Sequence, residues 1–385
     1  MFYRIRYLTA GESHGPGLTG ILEGLPAGIP FDEDAINHEL FRRQQGHGRG
    51  GRMKIESDRI KVLSGVRQGL TMGSPISIWI ENKDWDNWKD GVMSQTANNP
   101  EKKPVTLPRP GHADLAGAKK FGFSDIRDVI ERSSARETAM RVALGAICRL
   151  LLREVGIEIA SHVIQIGAVT AGGRRPDDLT DVTTTADASP VRCLNADTAT
   201  EMVDLIDATR REGDSLGGVF EVLAAGVPVG LGSYTHWDRK LNARLAAALM
   251  SINAMKAVAI GDGFNVAARP GSKVHDEIEP TAGGTRRLTN HAGGIEGGVS
   301  NGETIVAQVA MKPIPTLAKA LQSVDIASGE IKPAHRERTD SCAVPAASII
   351  GEAMLALVLA DALLEKYGGD SLNELKAHMN SQGEP

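Results

Sequence analysis

The clearest secondary-structure signal in the chain is the stretch SARETAMRVALGAICRLLLREV, which occupies residues 134–155. Apolar residues recur in it at helical spacing, from Met140 to Leu151. Ser134 followed three positions later by Glu137 is the signature of a capping box, which marks the start of a helix. We therefore expect one helix over residues 134–155.

Two further helices and a set of short strands accompany this helix in the sequence. An alanine-rich pattern predicts a helix from about Arg239 to Val258, and Pro345 begins a third helix that ends at Gly368 and Gly369. Segments with strand length and strand pattern are Tyr3–Leu8, Leu18–Leu25, Ile60–Val66, Ile76–Glu81, Val163–Val169, Val219–Ala225 and Thr304–Met311. Strands and helices do not follow the strict alternation of a doubly wound sheet, so we expect an α+β layered fold with mostly antiparallel sheets.

Length and composition favour a folded protein with one large or two intermediate domains. Of its 385 residues, 41% are hydrophobic and 24% are charged, which allows a real core and excludes disorder of the whole chain. The net charge of -5 provides no overall basic field that would attract nucleic acid. Glycine is frequent, at 43 residues, which indicates many tight turns and close approaches of backbone to ligands.

The cysteines and the apolar segments indicate neither export nor membrane insertion. The three cysteines are far apart, which argues against a disulfide framework or a zinc site. The N-terminus lacks the apolar region of a signal peptide. The most apolar stretch, from Val344 to Leu364, is interrupted by Glu352 and Asp361, so we expect a buried helix there. The cytoplasm is the expected compartment.

Two histidines lie in turns that contain glycine and proline. His14 lies in GESHGPG, residues 11–17, after the first predicted strand, and His112 lies in RPGHAD, residues 109–114. Each could act as a general acid or base, and Asp114 beside His112 would fix its tautomer. The alternative for both is a polar surface turn that contains a histidine.

Arginines recur in two segments. The segment from Arg42 to Arg52 holds four arginines and four glycines, a combination that suits the recognition of phosphate or carboxylate. A solvated basic loop or an RNA-binding loop is the alternative, although no aromatic residue is interleaved. The segment Arg132–Arg136 lies where the strongest helix begins. Because the helix dipole disfavours cations at that end, its two arginines predict a bound anion.

Glycine-rich and proline-rich segments lie in the C-terminal half. Six glycines between Gly283 and Gly298 surround His291 and predict a backbone cradle for a cofactor, although they do not form a dinucleotide fingerprint. KPIPT, residues 312–316, follows a predicted strand, and Asp340 precedes the third helix, where a helix cap is the alternative reading. The residues alone indicate a site for a multiply anionic ligand with acid–base groups, and they name no cofactor or reaction.

Taken together, these motifs resemble the chorismate synthase family. The motifs that carry the resemblance are GESHG (11–15), RPGHAD (109–114), RSSARETA (132–139), SINA (251–254), GGIEGG (293–298), KPIPT (312–316) and Arg338-x-Asp340-x-Cys342. They occur in order along nearly the whole chain. The resemblance implies a single domain, residues 1–385, on a β-α-β sandwich fold. A peripheral insertion is expected at about 171–196, and mobile loops at about 43–52, 82–104 and 324–337.

The resemblance implies a cytoplasmic carbon–oxygen lyase of the shikimate pathway. Such an enzyme converts 5-enolpyruvylshikimate 3-phosphate to chorismate and phosphate by 1,4-anti elimination. It requires reduced FMN without net redox change, and it forms a homotetramer with one FMN per subunit. The resemblance leaves open whether the chain reduces its own flavin with NADPH or depends on an external reductase.

The resemblance also implies roles for individual residues. His14 would serve the departing phosphate, His112 would protonate or stabilise the reduced flavin near N1, and Asp340 would assist removal of the C6 proton. The arginines implied to bind substrate are Arg43, Arg49, Arg109 and Arg136, of which Arg43 and Arg49 also match positions for NADPH. The positions implied to contact FMN are Arg132, Ser133, Ser134, Asn253, Ala254, Gly297, Lys312, Pro313, Ile314, Pro315, Thr316 and Arg338.

Two other functional classes compete with a flavin-dependent lyase. A nucleic-acid-binding module that uses the arginine–glycine segment predicts a basic face and salt-sensitive binding. A nicotinamide oxidoreductase is the second class, and the missing dinucleotide fingerprint argues against it. We expect no nucleic acid, membrane or metal partner.

Overall fold

The structure of the chain is a computed structural model that describes residues 2–50, 57–96, 104–172, 176–281, 284–337 and 339–381. Its α-helices are α1 Glu33–Gln44, α2 Asp114–Phe121, α3 Arg127–Ser133, α4 Thr138–Arg153, α5 Leu179–Ala188, α6 Ala196–Arg211, α7 Leu241–Met250, α8 Val344–Tyr367 and α9 Leu372–Ser381. Its strands are β1 Arg6–Ala10, β2 Gly17–Glu23, β3 Ala27–Pro30, β4 Ile60–Ser64, β5 Val66–Arg67, β6 Leu70–Met72, β7 Ile76–Glu81, β8 Glu158–Ile166, β9 Val169–Thr170, β10 Gly218–Ala225, β11 Met255–Ile260, β12 Ile278–Thr281, β13 Gly284–Arg287, β14 Ile295–Glu296, β15 Val299–Ser300, β16 Ile305–Met311, β17 Gln322–Val324 and β18 Ile331–Pro333.

Helices α4 and α8 form the centre of the core. Nearly all side chains of both helices are buried. The two helices approach closely at Gly145, where an added Cβ would lie 2.5 Å from Cβ of Ala353. Helix α1 packs against both of them. A residue without a side chain therefore lets two apolar helices come into backbone contact.

The start of α4 differs in detail from the predicted capping box. A 3-10 turn over Ala135–Glu137 precedes the α-helix, and the Ser134 side chain accepts a hydrogen bond from the backbone N–H of Arg136. The Glu137 carboxylate accepts hydrogen bonds from Thr9 Oγ1 and from Arg141 Nε. The predicted helix is confirmed, but the side chain of Glu137 connects it to β1 and makes no capping hydrogen bond.

Two antiparallel sheets enclose the helical core. One has the strand order β1-β2-β7-β4 and the other has the order β11-β16-β10-β8-β9. Gly20 of β2 faces Met140 of α4, and Gly351 of α8 faces Val222 of β10, so each sheet packs on the helices through a glycine. Every strand ladder formed by the described residues is antiparallel. The predicted α+β fold, a β-α-β sandwich with mostly antiparallel sheets, is confirmed.

Helix α8 has the length and apolarity of a membrane span, but its apolar stretch is completely buried inside the protein. Its acidic residues have cationic partners there. Glu352 forms ion pairs with Arg42 and Arg149, and Asp361 pairs with Arg244. The prediction of a buried helix is confirmed, and its two carboxylates join the helix to α1, α4 and α7.

The helix predicted over residues 239–258 is wrong in its second half. Helix α7 ends at Met250, and residues 255–260 form the edge strand β11. Ala254 has a φ of 69°, which is incompatible with the interior of an α-helix, and β11 then pairs with β16. Alanine-rich composition alone did not reveal this reversal of the chain.

The segment 171–196 is more than a peripheral insertion. Residues 173–175 lie outside the described residues, but α5 packs on the five-stranded sheet and buries Leu179 and Val182 against it. Asp187 at the end of α5 forms an ion pair with Arg42 of α1. The segment therefore covers the sheet and connects it to the helical core.

The three predicted loops contain regular structure at their ends. Arg43 belongs to the last turn of α1. The segment 82–104, of which residues 97–103 lie outside the described residues, begins with the buried Asn82 and a 3-10 turn over Trp85–Asn87. The segment 324–337 includes β18.

Candidate functional site

Residues from several separate segments line one cavity of about 420 Å³. Its wall is formed by the turn between β1 and β2, the end of α1, the segment before α2, the start of α4, the α7–β11 connection and the segments that flank α8 and β16. The predicted site residues that line it are His14, Arg43, Arg49, Arg109, His112, Ser133, Ser134, Arg136, Asn253, Ala254, Lys312, Ile314, Pro315, Thr316 and Asp340. Most of the residues singled out in the sequence are therefore brought together by the fold.

Three of the predicted positions that the structure describes are not part of this lining. Arg132 is exposed, and its guanidinium donates hydrogen bonds to the carbonyl oxygens of Thr9 and Gly11. Gly297 lies in the turn of the β14–β15 hairpin, and Pro313 is absent from the cavity wall although its neighbours line it. A further predicted position, Arg338, lies outside the described residues.

His14 is held at the cavity wall by one edge and one face of its ring. Its Nδ1 lies 2.9 Å from Oε1 of Glu131, and its backbone N–H donates to Oε2 of the same carboxylate at 2.8 Å. The indole of Trp88 stacks on the imidazole, with 3.9 Å between ring centroids. Burial opposes the charge of Glu131, but the hydrogen bonds from His14 outweigh it and lower the pKa of Glu131. A charged carboxylate thus fixes which ring nitrogen faces it.

His112 has a comparable partner in Asp114, which is completely buried. The Asp114 carboxylate contacts Nδ1 of His112 and accepts from Nε of Arg109 at 2.8 Å. Arg109 also donates through Nη1 to Oγ1 of Thr316, at 2.9 Å. Burial raises the pKa of Asp114, but the hydrogen bonds from His112 and Arg109 hold it well below its usual range. Because Nδ1 faces the Asp114 carboxylate, Nε2 is the ring nitrogen of His112 that does not face it.

Arg43 and Arg49 reach the cavity from the end of α1 and the glycine-rich segment after it. Arg43 donates to Oγ1 of Thr138 at 2.9 Å and to the carbonyl oxygen of Ala135 at 2.9 Å. Its Nη1 is buried and has no hydrogen-bond partner among the described residues. Burial lowers the pKa of Arg43 to about 10. Arg49 forms an ion pair of 2.8 Å with Asp340.

The two arginines of segment 132–136 do not form the predicted anion site together. Arg136 is buried and donates to Oδ1 of Asp58 at 2.6 Å and to Oδ1 of Asn82 at 2.8 Å. A carboxylate of the protein thus compensates part of the charge that the helix dipole disfavours. Arg132 points elsewhere, so only Arg136 can contribute to a ligand site in this cavity.

Asp340 does not cap α8, which was the alternative explanation for it. The N-cap of that helix is Ala343. Asp340 instead accepts a hydrogen bond of 2.6 Å from the backbone N–H of Gly50 and pairs with Arg49. It therefore connects the arginine–glycine segment to the start of α8.

The cavity wall carries an excess of positive charge. Its cationic side chains are Arg43, Arg49, Arg109, Arg136 and Lys312, and its carboxylates are Glu337 and Asp340. Apolar side chains, among them Ile252 and Ile314, complete the wall. Within the described ranges, no three His, Cys, Asp or Glu side chains could together hold a metal ion. The site suits a ligand with several negative charges and a flat apolar part.

The described part of the arginine–glycine segment, residues 42–50, does not present the basic face that nucleic-acid binding would need, and Arg52 lies outside the described residues. Arg42 is buried and forms ion pairs with Glu39, Asp187 and Glu352, while Arg43 and Arg49 line the cavity. These arginines therefore act inside the protein.

The sequence did not reveal several residues that support the site. Glu131 directly precedes the Arg132–Arg136 motif, and Trp88 lies in a segment expected to be a surface loop. Asp58, which balances Arg136, follows the glycine-rich segment and carries no motif of its own. Their contacts join positions far apart in the chain. Only Glu131 could have been noticed in the sequence, because it lies next to the Arg132–Arg136 motif.

Comparisons with known proteins show which family the chain is similar to. A family profile described as chorismate synthase matches residues 5–364. A chorismate synthase of Streptomyces avermitilis is 54% identical over 98% of both chains, and one of Listeria innocua is 52% identical over 97% of both. A solved structure titled "Crystal Structure of Chorismate Synthase" superposes with a TM-score of 0.80 at 43% identity, covering 100% of this chain and 98% of the other.

Proposed function

Because the chain belongs to the chorismate synthase family, we propose that its cavity holds 5-enolpyruvylshikimate 3-phosphate against reduced FMN. The enzyme is a carbon–oxygen lyase, which releases phosphate from this substrate by 1,4-anti elimination and yields chorismate, the last common step of the shikimate pathway.

The convergence of four guanidinium groups and two carboxylate-bound imidazoles on one cavity carries this proposal. Arg43, Arg49, Arg109 and Arg136 all line it. The substrate brings one phosphate and two carboxylates, and FMN brings a second phosphate. Guanidinium groups bind such anions through paired hydrogen bonds. An excess of positive charge also stabilises the negative charge that develops on the departing phosphate.

The residues of the cavity fit a flavin mononucleotide. The buried Nη1 of Arg43 lacks a hydrogen-bond partner among the described residues, and apolar side chains such as Ile252 and Ile314 offer a surface for a flat ring. We propose that the cofactor contacts the cavity-lining residues Ser133, Ser134, Asn253, Ala254, Lys312, Ile314, Pro315 and Thr316. When bound, reduced FMN supplies electron density that eases loss of phosphate.

The protein's own groups then manage the protons and the charges. His14, with Nδ1 held by Glu131, is proposed to deliver a proton from Nε2 to the departing phosphate. His112, with Nδ1 held by Asp114, is proposed to keep a proton at Nε2 beside the cofactor. Asp340 is proposed to assist removal of the C6 proton, after the substrate's anions have drawn Arg49 away from it.

We further propose that the protein is a cytoplasmic homotetramer and that NADPH serves as the reductant. Arg43 and Arg49 match family positions for NADPH, which would keep the flavin reduced. A tetramer is expected to show four times the chain mass of 40.9 kDa in light scattering.

Anaerobic mixing of the protein with reduced FMN and 5-enolpyruvylshikimate 3-phosphate tests the proposed chemistry. We expect stoichiometric release of phosphate and formation of chorismate. Oxidised FMN and the omission of flavin are the controls, and neither should support turnover. Equal phosphate release without flavin would show that the proposed cofactor is wrong.

The two histidines are tested one at a time. His14→Ala and His112→Ala should each lower kcat by about 10²–10⁴-fold, the usual contribution of a general acid or base. Circular dichroism checks that the fold is retained. Normal turnover in either variant would remove that histidine from the mechanism.

A further inference from the structure

His14 is the end of a chain of ionic contacts that crosses three segments. Glu131, which holds its ring, lies 3.3 Å from Nη1 of Arg127, one turn earlier on α3. Nη2 of Arg127 lies 2.8 Å from Oε1 of Glu337, in the segment that precedes α8. Glu337 in turn lies 2.8 Å from Nε2 of His335. The carboxylate that holds the imidazole is therefore linked to charged groups that do not touch His14.

Burial makes each member of this chain dependent on the next. The side chain of Glu131 is 3% exposed and that of Arg127 is 7% exposed, so neither charge is compensated by water. Burial raises the pKa of Glu337, but hydrogen bonding to His335 and the charge of Arg127 lower it to about 2. Glu337 is thus a firm carboxylate partner for Arg127, and it also forms part of the cavity wall.

Trp88 adds a contact to the face of the His14 ring. It stacks on the imidazole with an interplanar angle of 27°, and the guanidinium carbon of Arg127 lies 5.8 Å from the centre of the indole. Its Nε1 donates to Oδ2 of Asp84 at 3.1 Å, which fixes the indole within its own segment. The indole therefore contacts both the proposed acid and the arginine behind it.

We propose that Arg127, Glu337 and Trp88 are positioning residues that orient His14 toward the substrate, an inference that rests on the proposed function. Glu131 contacts both His14 and Arg127. Without Arg127, the buried carboxylate would lose one of its cationic partners, and the imidazole would be drawn toward it. Without Trp88, the ring could turn about its Cβ–Cγ bond. In both cases the proton on Nε2 would be displaced from the departing group, and a displacement of about 1 Å can reduce turnover about 10²-fold.

A double-mutant cycle tests the proposal. Arg127→Gln, Glu337→Gln and Trp88→Ala are each made in the wild-type and in the His14→Ala background. Phosphate release is measured with reduced FMN under anaerobic conditions. We expect each single variant to lower kcat by about 10–100-fold with little change in KM, as loss of supporting hydrogen bonds does in other sites. In the His14→Ala background the same changes should have almost no further effect, because they act through His14.

Matched variants separate positioning from stability. Arg192→Gln removes an arginine whose side chain is also 7% exposed and ion-paired, but which does not line the cavity. Trp85→Ala removes an indole from the same segment as Trp88. Both controls should keep kcat per folded molecule. Trp88→Phe retains a ring against His14 and should restore most of the kcat lost in Trp88→Ala. Glu337→Gln, on a different segment, provides the test if Arg127→Gln does not fold.

The outcomes distinguish this inference from the proposed function. An equal loss of kcat in the wild-type and His14→Ala backgrounds would overturn the positioning role, and so would an effect on KM alone or none at all. If the wild-type protein released no phosphate, or if His14→Ala kept normal turnover, the proposed function of the site would be wrong and the positioning role would fall with it.

Discussion

Replacement of Asp114 by asparagine keeps His112 in the cavity but removes the carboxylate that orients its ring. The Asp114 carboxylate is completely buried. It accepts hydrogen bonds from the backbone N–H of Arg109 at 3.0 Å and from its Nε at 2.8 Å, and it contacts Nδ1 of His112. Asparagine keeps the size of the side chain but replaces one oxygen by an NH₂ group. At least one N–H donor of Arg109 or His112 then faces another donor.

The substitution should lower both the free energy of unfolding and kcat. Breaking a buried ion pair by removing one charge costs about 3–5 kcal/mol. We expect the lower end of this range, because Arg109 keeps its hydrogen bond to Thr316. If Nδ1 of His112 loses its acceptor, the ring can adopt the other tautomer or turn away, and kcat should fall by about 10²–10⁴-fold.

Two assays measure these effects separately. Urea unfolding at neutral pH gives the loss of stability, and anaerobic phosphate release with reduced FMN gives kcat. The double variant Asp114→Asn/His112→Ala should be no slower than His112→Ala, because Asp114 acts through the imidazole. A variant that lost about 3 kcal/mol of stability but kept its kcat would show that Asp114 supports the fold and does not orient His112.

Three further predictions concern the core, the pH dependence and substrate affinity. Gly145→Ala should destabilise the protein by about 1–3 kcal/mol, because the new Cβ would lie 2.5 Å from Ala353, and a lower midpoint of thermal unfolding measures this; an unchanged midpoint would mean that α4 and α8 can separate at little cost. Glu337 has a folded-state pKa of about 2 against an ordinary 4.5, so its contribution of roughly 3 kcal/mol is complete above pH 4.5 and is lost as pH falls towards 2. Urea unfolding of wild type and Glu337→Gln should therefore differ at pH 6 and converge at low pH, whereas a constant difference would contradict the ion pair. Arg49→Ala should raise the KM for the substrate by about 10–100-fold, since a charge-assisted hydrogen bond is worth about 1.5–3 kcal/mol, and an unchanged KM would place Arg49 outside the substrate site.

The sequence pattern predicted those helices and strands whose apolar residues recur at the regular spacing of the element. The strand Ile76–Glu81 was predicted with the bounds that the structure has, because its apolar alternation matches its position between two neighbours. The helix over residues 134–155 was found for the same reason, although its first turn is a 3-10 turn. The sequence did not show that the alanine-rich helix ends before residues 251–254. Ala254 has a positive φ, which an alanine does not predict from the sequence.

The arginines and histidines of the cavity wall could be predicted from sequence motifs. The residues that contact them from outside the wall, such as Glu131, could not. Arg42 and Arg43 are neighbours at the end of α1, but Arg42 points to Glu352 in the core and Arg43 to the cavity. Adjacent helical positions face directions about 100° apart, so the sequence alone could not decide which one reaches a ligand. Glu131 meets His14 across 117 positions of the chain. Such a contact depends on how the elements pack, which local pattern does not report.

A structure of the protein with oxidised FMN and 5-enolpyruvylshikimate 3-phosphate bound together tests most directly whether one cationic cavity receives both molecules. Both phosphate groups should lie within about 3 Å of nitrogen atoms of the cavity wall, such as those of Arg43, Arg49, Arg109 and Arg136. The substrate should lie between the flavin ring and His14. A complex in which either molecule occupied a different surface, with these guanidinium groups unchanged, would contradict the account.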